Sequence, residues 1–195
     1  THASAYHQHP AFELCGGIDI KADERLRFEK KYGKPAFDSI DEAMENVKPE
    51  VVSISTPPDS HLSVFKSLIP YQPRAVLLEK PVATCATDSH QLIRLAERYQ
   101  IAVIVNYVRR YEPGTRQLKR MLAGGLIGNV YKGVVYYCKG IRNNGSHFID
   151  LLEYLLGTPT SIVTISEGRE ISITGFIDKE PDLLIRFADV PIHFL

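Results

Sequence analysis

A lysine between a glutamate and a proline is the residue of this chain best suited to chemistry. The apolar run of residues 75–78 is typical of a buried strand, and Glu79, Lys80 and Pro81 follow it directly. Ligands of parallel sheets bind at the carboxyl ends of the strands. Partial desolvation there favours the neutral amine, which suits Lys80 to relay a proton as a hydroxyl becomes a carbonyl. Glu79 can orient or charge-balance it. The alternative is a solvated lysine at a strand end.

A histidine at the start of an apolar helix is the second candidate. Asn143 precedes His147 by four residues, so the two side chains lie within one turn if the segment is helical. An amide can hydrogen-bond a substrate hydroxyl or the imidazole, but it cannot stabilise an imidazolium by charge. Lys80 is therefore the stronger candidate for the catalytic residue. The alternative for His147 is a helix N-terminal residue packed at the domain junction.

The first half of the chain alternates short apolar runs with amphipathic stretches, as β–α units on a parallel sheet do. The predicted strands are residues 12–20, 51–55, 75–78 and 101–105, and the longer predicted helices are residues 23–32, 60–69 and 87–100. Asp23 and Gly33 are expected to begin and end the first of these helices, and Ser39 with Glu42 forms a capping box for a further short helix. This order predicts an incomplete Rossmann-like, doubly wound parallel sheet over residues 1–110.

The second half has a different pattern. Helices are predicted at residues 114–123 and 147–156, and strands at residues 130–138, 161–166, 170–176, 183–187 and 192–195. The connections between the later strands are too short for crossover helices, which favours antiparallel pairing. We therefore expect an α+β domain with a largely antiparallel sheet over residues 111–195, one that stops without an obvious terminal element.

Charge and hydropathy exclude several classes of function. Lysine plus arginine and aspartate plus glutamate each number 23, so the formal net charge is zero. That balance argues against a nucleic-acid footprint or a membrane-surface patch. No apolar run approaches the roughly 18 to 20 residues that span a bilayer, and the polar start of the sequence lacks a signal-peptide pattern.

Cysteines and histidines give no sign of a metal site. Three cysteines lie far apart in the sequence, at Cys15, Cys85 and Cys138. Their odd number and the lack of a CxxC motif argue against a disulfide framework or a zinc site and fit a reducing cytoplasm. Three histidines lie near the start, at His2, His7 and His9. Without further ligands nearby, we interpret them as a solvated helix end, and no metal is expected.

The glycine loop of a dinucleotide-binding domain does not occur in the sequence. Such a domain opens with a strand, a G-x-G-x-x-G loop and a helix whose N-terminus holds the pyrophosphate. Two glycine pairs are present, but one lies in a predicted strand and the other closes a helix. Residues 1–9 resemble the tail of a helix, and the next predicted strand ends on Asp19, an acid of the kind that binds the adenosine ribose. We expect the missing strand and loop to belong immediately before Thr1.

Taken together, these motifs resemble the Gfo/Idh/MocA family of glucose–fructose oxidoreductases and inositol dehydrogenases. The matching pieces, in chain order, are His2-Ala3-x-Ala5-Tyr6, Asp19, Thr56-Pro57 with His61, Glu79-Lys80-Pro81, Arg109-Arg110-Tyr111-x-Pro113 and Gly145-Ser146-His147-Phe148-Ile149-Asp150. Each piece is weak alone. Their shared order, over most of the chain, is specific.

The resemblance implies an NAD site. The implied cofactor-binding residues are Asp19, Thr56, Pro57, His61, Glu79 and Lys80. Asp19 would accept the ribose hydroxyls, and the turn at Thr56 would run under the nicotinamide nucleotide. A carboxylate repels the 2′-phosphate of NADP, but Lys21 could soften that repulsion, so NADP stays possible.

The resemblance also implies hydride transfer between NAD(P) and a secondary alcohol or ketone of a sugar, cyclitol or nucleotide-sugar. Lys80 would relay the proton and His147 would be the second catalytic residue, with Arg109, Asn143 and Asn144 as substrate contacts. In the family an aspartate occupies the position of Asn143, so this chain departs from the pattern there. The Lys-Pro bond is often cis in the family, and the second-domain sheet commonly pairs subunits, which implies a homo-oligomer. The alternatives are a non-catalytic sugar- or nucleotide-binding regulator of the same fold and an inactive fragment.

Overall fold

The computed structural model describes residues 2–173 and 176–195, and the chain divides into two compact units. The first unit comprises Thr1–Thr56, Ser60–Glu79 and Cys85–Ile104. The second comprises Pro57–Asp59, Lys80–Thr84 and Val105–Leu195. The short segment that begins with Lys80 therefore belongs to the second unit. Among the described residues, no helix is both long and apolar enough to cross a bilayer.

The first unit alternates helices and strands, as predicted. In chain order its elements are α1 (His2–Gln8), β1 (Gly17–Ile18), α2 (Ala22–Tyr32), β2 (Ala36–Phe37), α3 (Ile40–Val47), β3 (Val51–Ile54), α4 (His61–Leu68), β4 (Ala75–Leu78), α5 (Ala86–Tyr99) and β5 (Ala102–Val105). Strands β1 and β2 pair in parallel, and β3, β4 and β5 form a second sheet in that order, with β3 and β4 parallel. The mixed α/β class with a parallel sheet is thereby confirmed.

Two predictions about the first strand were wrong. Residues 12–20 were expected to form one strand, yet only Gly17–Ile18 pairs, and its partner Ala36–Phe37 was not predicted at all. Two-residue strands are too short for an alternating pattern to identify them. Gly17 also faces the Phe28 ring of α2 so closely that a Cβ would lie 2.9 Å from it, which leaves room only for glycine.

The helix ends follow local chemistry, with one correction. Gly33 ends α2 in the left-handed conformation at φ 63°, and its N–H donates to the Glu29 carbonyl. Ser39 caps α3, because its Oγ accepts from Glu42 N at 3.2 Å. These two predictions are confirmed. Asp23, predicted as the cap of α2, lies within its first turn instead, and Lys21 occupies the cap position without a side-chain bond.

Apolar faces of the helices and strands make the core of the first unit. Phe65 and Leu68 of α4 and Leu92 of α5 are fully buried. The strands contribute the buried side chains of Ile54, Val76 and Leu78. Burial of this kind stabilises by about 25 cal/mol per Å² of apolar surface removed from water.

The second unit is built on a four-stranded sheet. Its elements are α6 (Pro113–Ala123), β6 (Gly133–Val135), α7 (Ser146–Leu156), β7 (Pro159–Ile173), β8 (Phe176–Phe187) and β9 (Val190–Phe194). The strand order is β6-β9-β8-β7, with β8 antiparallel to both β7 and β9. The largely antiparallel sheet is thereby confirmed. Strand β6, however, runs parallel to β9, because α7 and two strands separate them in the chain.

One long strand replaces two that were predicted separately. Residues 161–166 and 170–173 both belong to β7, whose pairing with β8 shifts register around Ser166 and Arg169. Gly168, at φ 64°, allows the chain to bulge there without ending the strand. Residues 174 and 175, which were also predicted as strand, lie outside the described residues.

The sheet and α7 enclose the core of the second unit. Ile185, Phe187, Ile192 and Phe194 are buried on the sheet, and apolar side chains of α7 pack against them. Tyr137 joins this core and donates its hydroxyl to the Pro181 carbonyl at 2.6 Å. Burial, reinforced by the negative charges of Glu180, Asp182 and Asp178, raises the pKa of Tyr137 to about 12.

Two leucines on helices of the first unit test which contacts hold it together. We expect Leu92→Ala to lower the free energy of unfolding by about 2–5 kcal/mol, since it empties a fully buried position. Leu26→Ala is the matched control, because Leu26 is 63% exposed and its loss should cost no more than about 0.5 kcal/mol. Urea unfolding followed by circular dichroism compares the two. Equal shifts would contradict the described core.

The raised pKa of Tyr137 predicts a loss of stability at high pH. Below its ordinary pKa of 10.0 the phenol is protonated whether the chain is folded or not. Between about pH 10 and pH 12 the unfolded chain releases this proton first, so the free energy of unfolding falls as pH rises. Tyr137→Phe should therefore reduce the slope of unfolding free energy against pH above pH 10. An unchanged slope, measured by urea unfolding at several pH values, would refute this assignment.

Candidate active site

An open cleft in the second unit gathers the residues predicted for catalysis and substrate binding. It has a volume of about 240 Å³ and is lined by Lys80, Arg109, Cys138, Lys139, Asn143, Asn144 and His147. All five residues that the sequence marked as catalytic or substrate-binding lie on this cleft. Cys138 and Lys139 also line it and were not predicted to.

Lys80 is held in the cleft by one asparagine. Its Nζ donates to Asn143 Oδ1 at 2.8 Å and to the Asn143 carbonyl at 3.0 Å. The lysine is half-buried, and the Lys80-Pro81 bond is cis. Both acceptors on Asn143 are uncharged, so this residue positions the amine without neutralising its ammonium form.

A buried carboxylate sets the position of Asn143. Asp178 of β8 is fully buried, and its Oδ2 accepts from the backbone N–H groups of Arg142 and Asn143, both at 3.0 Å. Its Oδ1 accepts from Lys179 N at 2.9 Å and from Arg142 Nε at 3.3 Å. A buried charge is stable only when its lone pairs are satisfied in this way. Asp178 therefore fixes the backbone of the segment that carries Asn143.

Arg142 connects that segment to the segment of Lys80. Its guanidinium contacts the Asp178 carboxylate, donates to the Thr84 carbonyl at 2.5 Å and also donates to the carbonyl of Ile177. Thr84 closes the stretch of chain that starts at Lys80. Arg142 thus joins three parts of the second unit through a single planar group, which a lysine could not do.

Two glycines delimit the segment before α7. Residues Gly140–Gly145 form a single π-helical turn that leads directly into α7. At Gly140, with φ 83°, a Cβ would overlap the Asp178 side chain. At Gly145 a Cβ would lie 2.5 Å from Ile141 Cδ1 and 3.3 Å from the Tyr137 ring. Gly140 therefore has no room for a side chain, and a side chain at Gly145 would displace Ile141. The side chains between these glycines are presented by a backbone that Asp178 holds.

Arg109 and Asn144 form a second hydrogen-bonded pair on the cleft. Arg109 Nη2 donates to Asn144 Oδ1 at 3.2 Å, and its guanidinium stacks 4.9 Å from the centre of the Phe148 ring. The other end of the amide, Asn144 Nδ2, donates to the Cys138 carbonyl at 3.0 Å. Asn144 thus has both ends of its amide engaged, and it orients Arg109.

His147 lies in the first turn of α7, which an ion pair fixes in place. The ring of Tyr107 meets the imidazole edge to face, with centroids 5.8 Å apart, and burial raises the pKa of this tyrosine. Asp150, one turn further along α7, is buried and makes two contacts with the Arg110 guanidinium, one of them at 3.0 Å. The carboxylate raises the pKa of Arg110. Asp150 is thereby a structural residue of the helix.

In the first unit, predicted cofactor residues follow the ends of three strands. Asp19 comes directly after β1, and its Oδ1 accepts from Lys21 N at 2.8 Å. Thr56 lies just beyond β3, and Glu79 directly follows β4. Carboxyl ends of parallel strands are where α/β sheets bind nucleotides. A half-buried carboxylate after β1 has the chemistry that a ribose diol requires, so the residues present fit the adenosine side of a dinucleotide.

The histidine near the start of the chain corrects one interpretation. His2 is half-buried, with its Nε2 2.7 Å from Glu79 Oε1 and its Nδ1 3.4 Å from Ser55 Oγ. It is therefore not part of a solvated helix end, whereas His7 and His9 are exposed. Residues 2–173 and 176–195 contain no group of three or more histidine, cysteine or acidic side chains arranged to hold a metal ion.

The turn after β3 is held from within the first unit. His61 is fully buried, and its Nε2 lies 2.9 Å from the Thr56 carbonyl. Ser60 Oγ donates to Thr56 Oγ1 at 2.8 Å. Pro57 continues the turn. A contribution of His61 to a cofactor site stays a prediction.

Comparison with known proteins agrees with this architecture. Residues 1–107 match GFO_IDH_MocA, the oxidoreductase family with an NAD-binding Rossmann fold. Because the match covers more than half of the 195 residues, the chain belongs to this family.

Named relatives share modest identity over most of the chain. It is 27% identical to the rhizopine catabolism protein MocA of Rhizobium meliloti, covering 97% of this chain and 63% of that protein. It is 25% identical to the inositol 2-dehydrogenase of Salmonella typhimurium, covering 89% and 55%. The WlbA dehydrogenase of Bordetella pertussis, crystallised with NADH and UDP-GlcNAcA, has the same fold, with a TM-score of 0.80 at 20% identity over 98% of this chain and 62% of that one. The chain thus spans less than two thirds of these proteins.

Removing the charge of Asp178 tests the support of the site. We expect Asp178→Asn to lower the free energy of unfolding by about 1–3 kcal/mol. The asparagine amide keeps only one acceptor oxygen, and its NH2 group would face N–H donors that now bond the carboxylate. Asp189→Asn, at an exposed position of the turn after β8, is the matched control and should change stability by less than about 0.5 kcal/mol. The urea concentration at the unfolding midpoint is measured for both variants. Equal midpoints would show that Asp178 does not stabilise the segment.

Proposed function

We propose that the chain is the catalytic part of an NAD(P)-dependent oxidoreductase that acts on a secondary alcohol or ketone of a sugar, cyclitol or nucleotide-sugar. The observation that carries this proposal is the amine of Lys80, held by Asn143 in an open cleft with Arg109, Asn144 and His147. A positioned amine beside hydrogen-bonding side chains is what proton transfer to and from a hydroxyl requires.

Lys80 is proposed as the proton relay. In the oxidation direction its neutral amine accepts the hydroxyl proton while hydride leaves the same carbon, and in reduction its ammonium form returns that proton to the alkoxide oxygen. The bound nicotinamide nucleotide supplies the hydride acceptor or donor. The two bonds to Asn143 keep Nζ on the cleft.

His147, Asn143, Asn144 and Arg109 have supporting roles in this proposal. Asn143 positions Lys80, and its amide can also bond a substrate hydroxyl. His147 is proposed as the second proton-transfer group. The amide at position 143 cannot stabilise the protonated form of His147 by charge, so the proposal gives the principal proton-transfer role to Lys80. Asn144 orients Arg109, which we propose as the substrate contact of this pair.

The proposed cofactor is NAD, with NADP as the alternative. Asp19 would accept both ribose hydroxyls, and a carboxylate there disfavours a 2′-phosphate. Lys21, whose backbone N–H already bonds Asp19, places a cation nearby that could offset this repulsion. Thr56, Pro57 and His61 would form the turn beside the nucleotide, with Glu79 and Lys80 at the end of β4.

The names of relatives support a sugar-like substrate. One relative is an inositol 2-dehydrogenase, another acts in rhizopine catabolism, and WlbA was crystallised with a nucleotide-sugar. A cleft of about 240 Å³ lined by amide and basic groups can hydrogen-bond a ring with several hydroxyls.

The test of this function compares two lysines. Lys80→Met should reduce NAD(P)-dependent turnover by about 100-fold or more, the range for loss of a general acid–base group, while NADH binding measured by fluorescence titration is retained. Lys132→Met removes an exposed lysine outside the cleft and should leave turnover unchanged. Substrates are taken from a panel of sugars, cyclitols and nucleotide-sugars. Equal turnover in both variants would reject Lys80 as the relay.

A non-catalytic regulator of the same fold is the second candidate, and Asn143 in place of an aspartate favours it. Such a protein would bind NADH saturably, show no turnover with any member of the panel and bind equally well after Lys80→Met. Failure to bind either NADH or NADPH would instead identify the 195-residue chain as a fragment without its own activity.

A homo-oligomer formed through the second-unit sheet is also proposed. Strand β7 leaves several apolar side chains more than half exposed, namely Ile162, Val163 and Ile165. Exposed apolar side chains on a sheet are a feature of interaction faces. Analytical ultracentrifugation of the chain is the direct measurement, and a monomer at high concentration would refute the proposal.

A further inference from the structure

The cleft of the second unit is strongly basic although the chain as a whole is neutral. Among the described residues, its lining carries three basic side chains, Lys80, Arg109 and Lys139, together with His147, and no aspartate or glutamate. The formal net charge of the full sequence is zero. A neutral polyol would not require this local excess of positive charge, since hydroxyl groups bind equally well to amides and carboxylates.

Three acids of the second unit that bond to segments carrying cleft residues already have cationic partners. Glu180 pairs with Arg169 at 2.5 Å and accepts from the backbone N–H of Lys139, and these bonds lower its pKa. Asp178 is bound by Arg142 and two amides, and Asp150 by Arg110. Each of these three carboxylates is therefore neutralised by an arginine that does not line the cleft.

Two cleft cations, by contrast, take no part in an ion pair. Within the described parts of the chain, neither the guanidinium of Arg109 nor the side-chain amine of Lys139 forms an ion pair with an aspartate or glutamate. Arg109 is nevertheless fixed, because Asn144 and the Phe148 ring hold its guanidinium. A fixed planar guanidinium is suited to two-point binding of carboxylate or phosphate oxygens.

Asn143 fits the same reasoning. It bonds Lys80 with neutral atoms and therefore adds no negative charge to the cleft. An aspartate at this position would both neutralise Lys80 and repel an approaching anion at close range.

We propose that the substrate carries an anionic group, a carboxylate or a phosphate, which Arg109 and Lys139 recognise. This inference rests on the proposed function for the identity of the substrate as a sugar or cyclitol, but the charge preference of the cleft can be measured without any turnover. The substrate class is therefore a sugar acid or a phosphorylated sugar or cyclitol.

Cys138 provides a probe that is built into the cleft. Its thiol is exposed and lines the cleft, whereas Cys85 is exposed and does not line it. Iodoacetate and iodoacetamide alkylate the same thiolate and differ chiefly in one negative charge. Their rate ratio at Cys138 therefore cancels the thiolate fraction and reports the local potential. Peptide mass spectrometry separates the two sites, and Cys85 serves as the reference for reagent dose.

The experiment measures this ratio in the intact 195-residue chain and in three variants. Relative to N-acetylcysteine, we expect the iodoacetate preference at Cys138 to be about tenfold higher, as charged clefts concentrate counter-ions by this factor or more. Lys139→Gln and Arg109→Gln should each reduce the preference several-fold. Lys132→Gln, which removes a charge outside the cleft, should leave it unchanged. A ratio equal to that of N-acetylcysteine would overturn the proposal.

Protection of Cys138 from iodoacetamide identifies the anion. Protection by D-glucuronate but not by D-glucose supports a carboxylate, and protection by inositol monophosphate but not by inositol supports a phosphate. Equal protection by charged and neutral members, or protection by NADH alone, overturns the proposal. A charge preference without any NADH binding would leave this inference standing while the proposed oxidoreductase fails, so the two outcomes are distinguishable.

Discussion

The buried charge of Asp178 is the constraint on which the site depends. A carboxylate with no exposed surface must have its oxygens bonded, and here two backbone amides, a third amide and a guanidinium supply those bonds. The same bonds also constrain their donors, because the backbone amides of Arg142 and Asn143 must lie where β8 places the carboxylate. The amine of Lys80 is fixed in turn through Asn143, so the geometry of the cleft originates in a strand that no substrate needs to touch.

The first unit obtains its candidate residues by a different principle. Parallel strands end at a common edge, so Asp19, Thr56 and Glu79 need only follow β1, β3 and β4 to reach nucleotide-binding positions. Local bonds then fix each residue, as when His61 holds the Thr56 carbonyl and His2 contacts Glu79. The two units thus position side chains by strand topology in one case and by a buried ion in the other.

The sequence predicted those features that leave a local pattern. Periodicity located α4, α5 and α7 to within a residue or two, and the order of short motifs selected Lys80, Arg109, Asn143, Asn144 and His147, which the fold gathers on one cleft. Strand β2 was missed because two residues carry no alternation, and β7 was divided in two because a bulge at Gly168 resembles a turn. Asp178 and Arg142 were missed for another reason. Their function depends on contacts across 36 positions of the chain, which a single sequence does not encode locally.

The two glycines that end the turn before α7 have an evolutionary consequence. A side chain at Gly140 or Gly145 would displace a packed neighbour, and Asp178 anchors the backbone between them. The backbone path of this segment therefore depends little on the identity of its middle side chains. Positions 143 and 144 can then be exchanged without rebuilding the fold. In diverging relatives or in a laboratory library, the effect of a substitution at these two positions would depend little on the rest of the sequence. The effect of a substitution at either glycine would depend strongly on its packed neighbours. The same scaffold could in this way be retuned from one polar ligand to another by very few mutations.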